Sequence, residues 1–494
     1  VPRITLPLGF TFYQSESKPF SSQRCINWIP HVAESAALST RALFQPLGLK
    51  QFADTALGTN RGSITADGVP YFVNGNSLVS TDVNGTVTNH GTISGSGRVS
   101  LAVNAKNADT GSQFIVIVVP GGDAYAFATV TNTLTQITDP SFRTSDSVVF
   151  KDGYFVFSAT DGAVYFNSNL NNPLVYNALD FGSAEISPDR IVALHVNHNE
   201  LFIAGSDVFE LAQNVGGAGF PFQRIPGANI QKGLHAKFSL VEFDNTFCFV
   251  GGGLNELSAI WRVTGSSSVQ KISTDAIDTA IQKFTLDEIN NSFAMTWAER
   301  GQFFAAFTFE SIAIPSVTFV YNATASALLG EKVWFELQSG LTDNRWNVQS
   351  IVSAYGKLLV GDGTNGTIGE MDRDTLTYYV EPIYRHMAAQ PFDIDGLPIF
   401  SGEFEATFQA GVGLTVGPGS EPVVRMDKSD DGGHTFNSET KRKIGKIGEY
   451  GHRTIWRRQG RFPVARTVRL TVTDPIRANL IRLAATPEVG VQSG

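Results

Sequence analysis

The sequence predicts an all-β protein, a β-propeller of about six or seven blades followed by a β-sandwich-like domain. Three observations carry this. Short aromatic-rich runs joined by tight Gly and Asn turns recur between residues 64 and 374. Their spacing is roughly 35 to 45 residues, the period of a four-stranded propeller blade. Beyond residue 374 the strands lengthen and alternate, as in Glu403-Phe404-Glu405-Ala406-Thr407-Phe408, where Phe404, Ala406 and Phe408 fall on one face. No WD or kelch signature repeats, so a large irregular sandwich is the alternative for the central region.

Residues 1–60 read as an irregular arm, because Pro2, Pro7, Pro19, Pro30 and Pro46 interrupt any long element. Such an arm reaches across to a neighbour, or it supplies the strand that closes the propeller ring. The propeller is expected over 61–375. Its clearest unit is Ser147 to Phe166, where Asp152-Gly153 and Asp161-Gly162 supply the positive φ of two-residue hairpins. Asn74-Gly75, Asn84-Gly85, His198-Asn199, Asp244-Asn245 and Tyr355-Gly356 mark turns of other units. One helix is predicted over 275–290, capped by Thr274 or Asp275, with Ile277, Ile281 and Phe284 on one stripe. The sandwich-like domain is expected over 376–494.

The chain has 494 residues, enough for two or three domains, and 42% of them are hydrophobic. Only 17% are charged, below the usual quarter, which leaves much uncharged surface for packing in an assembly. Two cysteines, Cys25 and Cys248, cannot build a disulfide framework and fit a reducing cytoplasm. No signal peptide is read at the N-terminus, and the apolar run 114–119 is too short to span a bilayer.

Catalytic patterns are sparse. Ser429-Asp430-Asp431-Gly432-Gly433-His434-Thr435-Phe436 fits the Asp-box S-x-D-x-G-x-T-F. Ser429, Asp431, Gly433 and Thr435 are its structural positions: the carboxylate accepts backbone N–H groups while the glycines permit positive φ. One copy points to a turn, since a sialidase also needs an arginine cluster and a tyrosine nucleophile. His195 and His198 form H-x-x-H without a third ligand nearby. Asp372/Asp374 and Asp393/Asp395 pair carboxylates, an arrangement glycosidases need and solvated strand faces also show. No nucleotide-binding or serine-hydrolase motif occurs. No catalytic residue, cofactor site or metal site is assigned.

Charge is unevenly distributed. The net charge is −9, yet residues 441–469 hold ten bases against Glu449 alone, leaving a net of −18 elsewhere. Lys441, Arg442, Lys443, Lys446, Arg453, Arg457, Arg458 and Arg461 are the candidate partner contacts. With Tyr450 and Trp456 interleaved they can meet nucleic acid, with the salt dependence that phosphate contacts bring. Equally, they can pair with acids on this chain or on a neighbouring subunit.

Several segments, in order, carry a family resemblance: Ser94 to Ser100; the unit from Ile191 through Phe209-Glu210-Leu211; Ile230-Gln231-Lys232-Gly233 leading into Phe247 to Val250; Phe284 to Glu288; and Trp456 to Arg461. Together they resemble the packaged-DNA stabilisation proteins of short-tailed double-stranded-DNA phages, the tail hub, nozzle or head-completion proteins. The resemblance runs from about residue 40 to 482 and implies a non-enzymatic virion protein. It implies copies, usually six, in a ring below the portal and adaptor. It further implies retention of packaged DNA in the lumen, attachment of tail spikes, needle or fibre, and assembly in the host cytoplasm. The rival reading is a sialidase-like, glycanase-like or glycan-binding propeller acting on the host surface.

Overall fold

The structure is a computed structural model that describes every residue except 1–2, 109–110, 188, 218, 266, 395 and 490–494. Among the described residues the strands build a propeller of seven blades. Blades 1 to 4 are four-stranded sheets that begin at Asn60–Ala66, Ser100–Val103, Ser145–Lys151 and Ile191–Asn197. Blade 5 contains Val241–Phe243, blade 6 runs from Phe293–Glu299 to Trp334–Leu337, and blade 7 begins at Val348–Ala354.

The first strands of the blades line the axis and are stitched by side chains. Ser63 Oγ donates to Ser350 Oγ at 2.7 Å between blades 1 and 7. Ser147 Oγ accepts from Leu194 N at 3.1 Å between blades 3 and 4, and Thr296 Oγ1 donates to Glu242 O at 2.9 Å between blades 6 and 5. The cores lie between the blades. Tyr71 and Val73 of blade 1 pack with Ile115 and Phe127 of blade 2, and Phe202 of blade 4 packs with Phe247 of blade 5. Each blade therefore buries both faces, which is why its strands read as continuous apolar runs.

Turn chemistry sets the hairpins within the blades. Asp152-Gly153, Asp244-Asn245 and Tyr355-Gly356 have φ values of 49 and 89, 46 and 62, and 55 and 70 degrees, both positive in each pair. These are the values a two-residue hairpin needs to follow strand twist. Blade 6 uses Arg300-Gly301, with φ of 50 and 72 degrees, so its hairpin lacks the usual Asn or Asp marker. Asp161-Gly162 departs from expectation. It sits in a four-residue loop between Tyr154–Ala159 and Val164–Asn169, and only Gly162 has positive φ.

The expected single helix is two. Asp275–Ile281 is capped by Thr274, and Leu286–Asn290 starts at Thr285 with a capping box to Glu288. Thr285 takes an extended conformation to make that cap, and so interrupts the helix. Ile277, Ile281 and Phe284 still face one core, between blades 5 and 6.

Residues 3–60 contribute strands to both parts of the molecule. Gly48–Asp54 pairs antiparallel with Thr367–Asp372, as the fourth strand of blade 7. Ile4–Leu6, Ile29–Val32 and Arg41–Phe44 join Ile399–Phe408, Thr454–Phe462 and Leu480–Val489 in one sheet of the sandwich. Pro30 is tolerated because its strand lies at the sheet edge. Pro7, Pro19 and Pro46 fall between strands. The second sandwich sheet is continuous with blade 6, because Ser22–Ile26 bridges Trp334–Leu337 and Arg385–Ala388. Propeller and sandwich thus share one sheet and one large core, in which Trp28, Trp346 and Trp456 are buried.

Candidate functional site

The basic run lies where the two sandwich sheets end. Thr440–Lys443 closes one sheet and Thr454–Phe462 closes the other. Their edges are tied together: Thr454 Oγ1 donates to Lys443 O at 3.0 Å, Trp456 Nε1 to Thr440 O at 3.2 Å and Arg442 Nε to Ile455 O at 3.0 Å. All eight candidate contacts are exposed. Four of them pair with acids of this chain. Lys443 lies 3.1 Å from Glu421, which Lys446 also contacts, Arg453 meets Glu405 at 2.6 Å and Arg457 meets Glu403 at 3.0 Å. Among the described residues, Lys441, Arg442, Arg458 and Arg461 have no acid within ion-pair distance. Bases on an exposed edge also keep it from pairing with a foreign strand. Trp456 is fully buried and so cannot stack on a base; only Tyr450, at 78% exposure, stands in solvent.

The Asp-box segment is a turn beside this edge. Asp431 accepts from Thr435 Oγ1 at 2.6 Å, Thr435 N at 2.9 Å and His434 N at 3.0 Å, while Ser429 Oγ donates to it at 2.7 Å. Ser429 Oγ accepts from Gly433 N at 2.8 Å, and Gly432 and Gly433 take φ of 72 and 85 degrees. The Thr435 bonds, first among these, hold the Asp431 carboxyl well below the usual carboxylate range. Next to it, Asp430 receives a two-pronged bond from buried Arg466, at 2.6 and 2.7 Å.

The other sequence candidates do not converge. His195 lies on the first strand of blade 4, its ring 4.6 Å from Phe247, and burial lowers its pKa to about 4. His198 occupies the following turn, 3.2 Å from Asn245 O. Asp372 accepts from Thr375 N and Oγ1 at 2.9 and 2.7 Å, whereas Asp374 pairs with Arg477. Asp393 accepts from Gly396 N at 3.2 Å, and Asp395 lies outside the described residues. Among the described residues no group of three or more His, Cys, Asp or Glu is placed to hold a metal.

The propeller mouth is a site that the sequence reading did not single out. In blades 1, 3, 4 and 7 the register between first and second strands steps at 60/62, 145/147, 191/193 and 348/350. Each step is a bulge that re-aims its extra residue: Arg61, Asp146, Val192 and Gln349. Buried Arg61 donates to Gly97 O at 2.6 Å, Ser94 O at 2.7 Å and Gly75 O at 3.0 Å, which fixes the loop 94–98. That loop carries Arg98 across the axis. Both terminal nitrogens of Arg98 donate to Gln349 O of blade 7 at 3.0 Å, and its guanidinium lies 4.1 Å from the centre of the Phe293 ring of blade 6. Phe238, before blade 5, is 5.5 Å away. Arg98, Lys237 and Phe238 line both an outer recess of about 600 Å³ and the axial cavity of about 370 Å³, and so partition them. Asp146, 4% exposed, meets Lys237 at 2.9 Å and also pairs with Arg190.

A seven-bladed propeller completed by an N-terminal strand, with a sandwich grown from its sixth blade and exposed bases along the sandwich edge, defines a protein of the propeller–sandwich class. The chain matches the family model described as bacteriophage P22 Gp10, beta-propeller, over residues 4–376, and that described as bacteriophage P22 Gp10, beta-sandwich, over 394–488. It belongs to this family, the tail hub or nozzle proteins of short-tailed phages, and is a structural protein of the phage tail. No curated protein matches the chain. Among solved structures, the extracellular domain of the B. thetaiotaomicron protein BT4673 is similar at 12% identity and a TM-score of 0.41. The match covers 77% of this chain and 46% of that one, so this chain spans less than half of its length. The computationally designed Ika8 protein is similar at 13% identity and a TM-score of 0.35, over 65% of this chain and 99% of its own. Both likenesses are remote, and family membership rests on the family models.

Proposed function

We propose that copies of this chain, six in number, assemble into a ring below the portal and its adaptor, and that packaged DNA is retained and released through the lumen between the copies. The blocked propeller axis is the observation that carries this reading. Arg98 bridges the mouth, and the cavity behind it is about 370 Å³. A DNA duplex, whose major groove alone is about 12 Å wide and 8.5 Å deep, does not fit such a space. A tail protein of this family therefore conducts DNA alongside its propeller, which requires several copies around a common axis. An uncharged or acidic lumen lets duplex slide, and the net of −18 outside the basic run supplies acid for it.

Lys441, Arg442, Arg458 and Arg461 are the contacts to a neighbouring copy or the adaptor, because their charge is not neutralised within the chain. The ring also carries tail spikes, needle or fibre, and it forms in the host cytoplasm, where Cys25 and Cys248 stay reduced; both are free and buried. No described helix is long and apolar enough to cross a membrane. Mixing the purified chain with its portal–adaptor complex, followed by electron microscopy, tests the reading. A closed ring docked on the adaptor is expected; a chain that stays monomeric and ignores the adaptor would overturn it.

A further inference from the structure

We propose that the recess at the propeller mouth is a binding site for an anion bearing carboxylate or phosphate oxygens, gripped by Arg98, Arg190 and Lys237. The site stands on the geometry of one chain and does not depend on the ring.

Three observations carry it. The first is the charge balance. The recess is lined by three bases and a single acid, Asp146. Both Asp146 oxygens are occupied, one by Lys237 and one by Arg190. Arg98 has no carboxylate within ion-pair distance among the described residues; its acceptor is the carbonyl of Gln349. The second is unused donor capacity. A guanidinium has five N–H groups. Arg98 directs two at one carbonyl, and its buried Nε has no hydrogen-bond partner. An unmatched charge in a low-dielectric wall is costly, and an incoming anion relieves that cost. Burial lowers the Arg98 pKa only to about 10, so the group stays charged at neutral pH.

The third observation is the loop 94–98. Arg61 engages the carbonyls of Ser94 and Gly97, and the backbone N–H groups of Gly95, Ser96, Gly97 and Arg98 donate to no described acceptor. Successive free backbone N–H groups in a turn form an anion-binding concavity, and these residues line the recess. The volume of about 600 Å³ suits a small molecule or a few residues of peptide and excludes a duplex. The oxygens can come from a free ion or from the acidic side chains of another virion protein.

Isothermal titration calorimetry of the full chain at low ionic strength distinguishes these sources. Inorganic phosphate and citrate are the free-ion probes, and a tetraglutamate peptide is the protein-like probe. Binding of at least one probe is expected, weakening as salt is raised. Arg98→Gln should lower its affinity tenfold or more. Arg190→Gln, at an exposed position that keeps the Lys237–Asp146 pair, should lower it several-fold and guards against a folding defect in the first variant. Preference for phosphate or citrate assigns the site to a free ion, and preference for the peptide assigns it to a protein partner. No binding of any probe to a folded chain, or binding that both variants leave unchanged, would overturn the proposal.

Discussion

The propeller mouth and the sandwich edge are both rich in bases, yet they hold them in opposite ways. At the mouth, Arg61 is 2% exposed and Asp146 4%, and each bond closes a gap between chain segments far apart in sequence. At the edge, Lys441, Arg458 and Arg461 stand in solvent and close nothing, and Arg442, also exposed, reaches the carbonyl of Ile455 on the facing edge. The buried charge of Arg61 and Asp146 is therefore part of the fold, whereas, among the described residues, the charge of Lys441, Arg442, Arg458 and Arg461 is not neutralised within the chain. Exposed ion pairs contribute little to stability, whereas removing one member of a buried set leaves its partners unsatisfied.

Substitutions sharpen that contrast. Arg61→Leu should have the largest effect, about 3 kcal/mol of lost stability in urea denaturation, because three or more carbonyls lose their donor. Asp146→Asn comes next, at about 2 kcal/mol, since Lys237 is left in the wall without its counter-charge. Equal stability of wild type and these variants would break the distinction between the two regions.

The Asp-box turn is intermediate and shows itself through pH. The folded Asp431 pKa lies below its unfolded value, so its stabilisation is complete above the unfolded value of about 3.9 and is lost as pH falls through the folded one. Melting temperatures of wild type and Asp431→Asn should differ by a constant amount near neutral pH and converge in strong acid. A gap that persists at the lowest pH would mean that the carboxylate bonds do not stabilise the turn. The smallest effect on stability is expected for the combined variant Lys441→Glu, Arg458→Glu and Arg461→Glu. Its melting temperature should match wild type while its incorporation into the docked ring falls in a sedimentation assay. Unchanged incorporation would remove the edge from the list of partner contacts.

How much of this was readable in sequence follows from the range of each interaction. The blades were legible because each hairpin is local: an apolar run, two residues of positive φ, another run. Blade 6 is not singled out by the sequence, although its Arg300-Gly301 hairpin has the same X-Gly form and the same positive-φ pair as Tyr355-Gly356. The strands before residue 48 are hidden by Pro7, Pro19 and Pro46, which fall between them, and Pro30, which lies on an edge strand. The mouth was illegible for a deeper reason. Arg98, Asp146, Arg190, Lys237 and Gln349 belong to separate blades or their connections, and only ring closure brings them together. The segment Ser94 to Ser100 stood out as part of the family resemblance, but nothing in its spacing says that Arg98 spans the axis. The basic run was legible as composition, whereas the burial of Trp456 and the capture of four bases by Glu403, Glu405 and Glu421 required the fold.

On the proposed function, DNA passes between copies of this chain and never through its propeller. Electron cryomicroscopy of a DNA-filled tail containing the chain tests it most directly. The account predicts duplex density on the common axis of the ring, with every propeller axis closed at Arg98. Duplex density running along a propeller axis, or a tail in which a single copy surrounds the DNA, would contradict it.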